Sequence, residues 1–256
     1  MNDGMCVLSR DGFVHYAIQL PDGIQAGETV PIRVQTVFTE MLEPFPAVIE
    51  QHESQFVVLH NDAHFASPYK SEKQLTTFKL GTKNIESYTE EEPVKEDGDA
   101  LKYGPFENVP PYSTLPVRLH YESNAPFVTF NDVEKEVEVS LWGNVAVEEH
   151  YSMKHDGAEL RDGLFSRIDY QVKGHKANVL TELTATLPFG SRDIYYRDII
   201  GNITTSNARP DKHGTLMQVC DKLIGHLLAS NSCCLNIYLL AFSDSTTFPS
   251  VWGIQD

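Results

Sequence analysis

Hydrophobic and polar residues alternate along much of the chain with a period of two, the pattern of strands that bury one face and wet the other. Val30, Ile32 and Val34 fall on one face of a predicted strand, as do Val117, Leu119 and Tyr121, and Val137, Val139 and Leu141. The same spacing joins Ile168, Tyr170 and Val172, and runs from Val179 through Thr181, Leu183 and Ala185 to Leu187. Phe56-Val57-Val58-Leu59 and Phe127-Val128-Thr129-Phe130 are shorter runs of strand-forming residues. Turn residues separate these runs. Pro21-Asp22-Gly23 marks one turn, Pro105, Pro110 and Pro111 break the middle, and Trp142-Gly143-Asn144 predicts a tight hairpin before Val145–Val147. Helical periodicity is scarce. The pattern as a whole predicts a mainly β chain of antiparallel, sandwich-like domains.

Three stretches interrupt the alternation. Glu90 to Asp99 is acidic and carries Pro93 and Gly98, which predicts an exposed loop. The polar run Asn131 to Glu136 precedes a new strand series and predicts a domain boundary, giving a first β domain over 1–134 and a partial second one over 135–207. From about Ala208 the alternation stops, so 208–256 reads as a tail with a short helix over Leu216–Leu228 or with no regular structure.

Composition narrows the class. The 256 residues are 41% hydrophobic and 10% aromatic, enough for a real core rather than a disordered chain. A formal charge of −16 argues against nucleic acid, whose binding needs a basic face, and against a polybasic contact with a membrane surface. Met1 to Arg10 lacks the charged start and apolar run of a signal peptide. The most apolar stretch, Leu223 to Phe242, contains His226, Ser230, Asn231, Ser232 and Asn236, which make insertion into a bilayer costly. Cys6, Cys220, Cys233 and Cys234 leave residues 7–219 without a thiol, so no disulfide staples the centre, and their spacing is not that of a zinc site.

Candidate chemistry is sparse. His60 and His64 have a two-ligand helical spacing, but Asn61-Asp62-Ala63 lacks the glutamate of HExxH and the preceding run reads as a strand, so both are expected to be surface histidines. Asp97-Gly98-Asp99 has a carboxylate spacing that can hold a divalent ion on a diphosphate, without the βαβ context such a site needs. GxSxG, P-loop and GxGxxG motifs are absent. No catalytic residue, cofactor or metal site is therefore assigned. Asn202-Ile203-Thr204 is an N-glycan acceptor motif, which makes Asn202 the one candidate modification site. In Asp193-Ile194-Tyr195-Tyr196-Arg197-Asp198, a strand would send Tyr195 and Tyr196 to opposite faces, with Arg197 in local salt bridges. Trp142 is expected in the core, as large aromatics usually are.

Several longer motifs resemble one family in collinear order. Leu141-Trp142-Gly143-Asn144-Val145-Ala146-Val147-Glu148-Glu149 is similar to the WGN-x-AVEE segment of ribophorin I. Gly163 to Gln171 (GLFSRIDYQ) is similar to its G-x-FSR-x-DYQ stretch, and Asp193 to Ser206 (DIYYRDIIGNITTS) to its D-x-YYRD-x-IGN-x-x-TS signature. Upstream, Tyr103-Gly104-Pro105-Phe106 with Val109-Pro110-Pro111-Tyr112-Ser113 resembles YGPF-x-x-VP-x-YS. Ser67-Pro68-Tyr69 and Ile85-Glu86-Ser87-Tyr88-Thr89 follow the same order.

The resemblance implies a non-catalytic accessory subunit of the oligosaccharyltransferase complex, on the lumenal side of the endoplasmic reticulum membrane. Its implied partners are the other subunits, including the catalytic one, and nascent polypeptides. No catalytic residue carries over. The family pattern is followed from about residue 10 to Ser206, and the tail departs from it. A second β domain cut short there would leave an unpaired edge and an uncovered apolar face. Residues 135–206 are accordingly expected to yield to limited proteolysis before residues 10–130. The alternative is a stand-alone β-sandwich module that binds glycan or peptide.

Overall fold

The computed structural model describes residues 5–10, 13–18, 23–25, 27–161, 166, 168, 172, 183–188, 191–197, 206–211, 214–219, 235–243 and 251–254. The chain divides into two compact units, Met1–Thr39 and Glu40–Asp256. In the first, β1 (Met5–Arg10) and β2 (Phe13–Ile18) form an antiparallel hairpin registered from Met5↔Ile18 to Arg10↔Phe13. The predicted strand over Val30, Ile32 and Val34 does not form. These residues are irregular and exposed, with no strand partner among the described residues. Alternation alone does not make a strand, because the backbone groups of a strand are satisfied only by a neighbour. Of the predicted Pro21–Gly23 turn, Pro21 and Asp22 lie outside the described residues.

The second unit opens with two sheets that share a core. One sheet has the order β3 (Leu42–Pro44), β5 (Phe56–Asp62), β10 (Pro116–Glu122), β7 (Ile85–Tyr88). The other has the order β6 (Ser71–Lys79), β9 (Ala100–Val109), β8 (Val94–Asp97). All of their pairings are antiparallel. Val57, Val117, Leu119 and Tyr121 from the first sheet meet Leu101 and Tyr103 from the second, with Phe78, Ile85 and Val94 packed around them. Each fully buried aliphatic side chain of this kind contributes about 1.5–3 kcal/mol relative to exposure. The Tyr103 hydroxyl donates to the Thr89 carbonyl at 2.7 Å, so its polar tip is satisfied inside the core. The predicted run over 56–59 and the predicted face over Val117, Leu119 and Tyr121 thus both contribute to the sandwich core.

The acidic stretch predicted as a loop is partly strand. Val94–Asp97 is β8, which turns into β9 through Gly98-Asp99 with Asp97↔Ala100 as the last pair. Gly98 sits at φ +68°, the left-handed conformation that a two-residue hairpin with glycine first requires. Gly104, at φ +106°, is constrained by contact as well. A β-carbon there would lie 2.8 Å from the Gln74 carbonyl oxygen, where β6 bulges against β9.

A further sheet has the order β11 (Val128–Val139), β12 (Val145–His155), β18 (Leu235–Ser243), β15 (Arg192–Arg197). The polar run Asn131–Glu136 lies inside β11, and its side chains are exposed. Another sheet joins β16 (Ser206–Asp211), β17 (Gly214–Val219), β14 (Leu183–Leu187) and β19 (Val251–Ile254) in that order. Leu183, Ala185 and Leu187 are buried, as their alternation predicts. Val179 and Thr181 lie outside the described residues.

Two readings of the later chain need correction. Ile168 and Val172 are helical and exposed rather than extended, and Tyr170 is outside the described residues. The tail supplies strands where a short helix or irregular chain was expected. Leu216 to Val219 belongs to β17, while 220–228 lies outside the described residues. β18 lies between β12 and β15, registered with β12 from Val145↔Ser243 to Met153↔Leu235. Its sequence, LNIYLLAFS, does not alternate, so period-two reasoning passes over it.

The last piece, β13 (Glu159–Leu160), pairs in parallel with β4 (Val48–Ile49) and ties the end of the β12 segment back to the start of the unit. Gln55, fully buried, reinforces this seam. Its Nε2 donates to the Ser123 carbonyl at 2.9 Å, and its Oε1 accepts from the Ala158 amide at 2.8 Å.

Candidate functional site

The residues singled out from sequence do not converge. His60 is an exposed residue of β5, in register with Arg118 of β10. His64 lies beyond the end of that strand, with its Nδ1 2.9 Å from the Ser113 hydroxyl and its ring edge-on to Phe106 at 4.6 Å. His60 sits on a strand and His64 in the bend after it, rather than both on one helix face, so the helical two-ligand spacing does not apply. Among the described residues, no group of three or more His, Cys, Asp or Glu is arranged to hold a metal ion.

Asp97 and Asp99 flank the β8–β9 turn. The Lys102 ammonium pairs with the Asp97 carboxylate and holds its pKa below the usual value. The Asp99 carbonyl accepts from the Leu80 amide at 2.9 Å. The triplet therefore closes a hairpin. Asn202 lies outside the described residues, as does Asp198. Arg192–Arg197 is a strand, with Tyr195↔Leu240 and Tyr196↔Leu239 in register across β18.

The prominent surface feature is the β11–β12 hairpin. Its turn forms where Trp142-Gly143-Asn144 predicts it. The Ser140 amide donates to the Asn144 carbonyl at 2.8 Å, the Gly143 amide donates to the Ser140 carbonyl at 3.0 Å, and Gly143 takes φ +87°. Such a loop places Leu141 and Trp142 at its crest. Trp142 is 91% exposed, which overturns its expected place in the core, and Leu141 is fully exposed. The reason is local: the residues at the crest of a tight turn project away from the sheet. Val137 and Val139 of β11 are exposed too, although they share a face with the buried Val147 and Val145 of β12.

Beside the turn, a cleft of about 330 Å³ is lined by Glu138, Ser140, Asn144, Ala146, Arg192 and Asp193. The Arg192 guanidinium donates to the Asn144 side-chain oxygen at 3.1 Å. These groups offer hydrogen bonds and charge of both signs. On the other face, the Glu149 carboxylate is buried between the Lys135 ammonium, at 2.6 Å, and the Tyr151 hydroxyl. Burying such a carboxylate is tolerable only with partners of this kind, and the Lys135 pair ties β11 to β12. Sequence reasoning missed Gln55, Glu149 and Arg192. An isolated polar residue in or beside a strand carries no local sign of the partner that distant chain brings to it.

Comparison with known proteins decides the family. The Ribophorin I family model matches residues 7–220. The chain belongs to the ribophorin I family. It is 46% identical over 198 residues to dolichyl-diphosphooligosaccharide--protein glycosyltransferase subunit 1 of Caenorhabditis elegans, covering 76% of this chain and 33% of that protein. It is 42% identical over 207 residues to subunit 1A of Arabidopsis thaliana, covering 80% of this chain and 34% of that protein. For subunit 1B of the same plant the identity is 41% over 197 residues, 76% of this chain and 42% of that protein. The chain thus spans about a third to two fifths of the length of these relatives.

The motifs that carry the ribophorin I resemblance have structural duties here. Tyr103 and Gly104 lie in the core and at the bulge contact. The Ser67 carbonyl accepts from the Tyr112 amide at 2.8 Å, linking two of the motifs. Ser166 exchanges two hydrogen bonds with the Gln51 side chain, each 2.7 Å. Among the described residues, no helix is long and apolar enough to cross a membrane.

Proposed function

We propose that the chain is a non-catalytic accessory component of the oligosaccharyltransferase complex, which transfers a preassembled oligosaccharide from dolichyl diphosphate to Asn in N-x-S/T of nascent proteins. The single observation behind this reading is the ribophorin I match across residues 7–220, together with relatives named as subunit 1 of that glycosyltransferase. Its role is structural support and handling of substrate polypeptide, on the lumenal side of the endoplasmic reticulum membrane. Its partners are the other subunits, including the catalytic one, and nascent chains. Asn202 is a glycan acceptor in this setting, to be read as a mass shift on enzymatic deglycosylation.

The test is purification from detergent-solubilised microsomes. The chain is expected to co-purify with the glycosyltransferase subunits, and the isolated chain to transfer no glycan. Turnover of a lipid-linked oligosaccharide by the isolated chain, or absence of the chain from the complex, overturns the reading. A second reading, a stand-alone module binding glycan or peptide, draws on Trp142, whose exposed indole is a ready stacking platform. Glycan or peptide binding by the purified chain that is lost in Trp142→Ala would favour it.

A further inference from the structure

Natural sheets guard their edges with short strands, prolines, lysines or a covering element. β11 departs from that practice. It runs from Val128 to Val139 without a proline, its bulge lies near its start between Phe130 and Asp132, and its lysine, Lys135, is drawn to the buried Glu149. It is the outermost strand of its sheet, paired with β12 on one side only among the described strands, and every residue from Phe130 to Val139 is exposed. Among the described residues, its outer edge thus presents a row of backbone donors and acceptors without a neighbouring strand.

The two faces of this edge differ in chemistry. Beyond the bulge, Val133, Val137 and Val139 lie on the face that β12 buries, opposite Tyr151, Val147 and Val145. They carry that apolar surface out to the last strand of the sheet. Asp132, Glu134, Glu136 and Glu138 lie on the other face as an unbroken alternate row of carboxylates, and Glu136 stands directly opposite Glu148. An added strand in register places its own side chains beside these rows, since paired residues share a face. Apolar residues on one of its faces would cover the valines. Basic residues on its other face would meet the acids.

We propose that the outer edge of β11 is a docking site for an extended polypeptide segment of another protein that alternates basic and apolar residues, held by strand addition. A second copy of β11 does not suit the site, because it would set carboxylates against carboxylates, a pairing that destabilises a sheet. Strand addition draws affinity from main-chain hydrogen bonds and selectivity from alternate side chains, so the edge selects by pattern and charge rather than by one sequence. The acidic row also protects the free edge from pairing with itself. This inference stands on the edge geometry and is independent of the role in glycosylation.

The experiment is calorimetric titration of the full chain with a short peptide of alternating Lys and Val, beside its Glu-Val counterpart and a fully N-methylated Lys-Val peptide. The Lys-Val peptide is expected to bind and the Glu-Val peptide not. N-methylation should weaken binding by at least about tenfold, the loss of one or two net hydrogen bonds. The triple variant Glu134→Lys/Glu136→Lys/Glu138→Lys changes only exposed side chains and should reverse the preference between the charged peptides. Binding that survives N-methylation would be charge adsorption and overturns the proposal. So does equal binding of both charged peptides, no binding at all, or a chain that dimerises through this edge.

Discussion

The sandwich over residues 42–122 and the β11–β12 hairpin are built from the same alternating pattern, with opposite outcomes. In β10, Val117, Leu119 and Tyr121 are buried because a second sheet lies over them. In β11, Val137 and Val139 alternate just as cleanly yet face solvent, while the same face of β12 next to them is buried at Val145 and Val147. Alternation decides which side chains share a face. Whether anything covers that face depends on a second layer, which other parts of the chain must supply.

Substitutions can sharpen this contrast. The largest effect is expected at Leu119, which is fully buried, where Leu119→Ala should destabilise by about 2–5 kcal/mol in denaturant titration. The matching truncation Val139→Ala should shift stability by no more than about 0.5 kcal/mol. Equal losses at the two sites would mean that the outer face of β11 is covered after all.

Next comes the seam at Gln55. Gln55→Ala leaves the Ser123 carbonyl and the Ala158 amide without their side-chain partner, and should cost about 1–3 kcal/mol. The loss should be accompanied by earlier proteolysis near Ala158. A neutral substitution would show that the β13–β4 pairing alone holds the seam.

Tyr103 tests the sandwich core by pH. Burial pushes its hydroxyl up to about 12, with Tyr88 adding to the shift. Above about pH 10 the unfolded chain loses this proton while the folded chain keeps it. Stability contributed by the neutral hydroxyl is therefore complete below pH 10 and is lost as pH rises toward 12. Tyr103→Phe removes that alkaline decline and, near neutrality, costs only the hydrogen bond to Thr89, about 0.5–1.5 kcal/mol. Thermal melts of both proteins between pH 8 and 12 check the sign.

The smallest effect belongs to the crest of the hairpin. Trp142→Ala should change the melting temperature little, because its side chain is 91% exposed, whereas a core tryptophan would cost about 3–5 kcal/mol. A large loss would return Trp142 to the core role expected from its residue type.

Much of the fold was legible because its signals are local. The runs over 56–59, 117–121 and 183–187 became strands, and the Trp142-Gly143-Asn144 turn formed where its glycine permits a left-handed backbone. Val30, Ile32 and Val34 carry the same signal without a strand beside them, and β18 carries none of it yet lies in the middle of a sheet. The candidate residues were less legible. Asp97 and Asp99 could be told from a metal site only once β8 and β9 were seen to meet around Gly98.

By itself the sequence determined the β class, the membership of each strand face, the turns that need glycine and, through its collinear motifs, the family. Only the tertiary structure decided which faces are covered, that Trp142 stands in solvent, that the tail contributes β18 and β19, and that Gln55 ties together segments far apart in the chain. The division has a physical cause. Side-chain alternation and turn conformation are set by neighbouring residues, whereas coverage, strand partnership and the pairing of buried polar groups depend on chain that arrives from a distance.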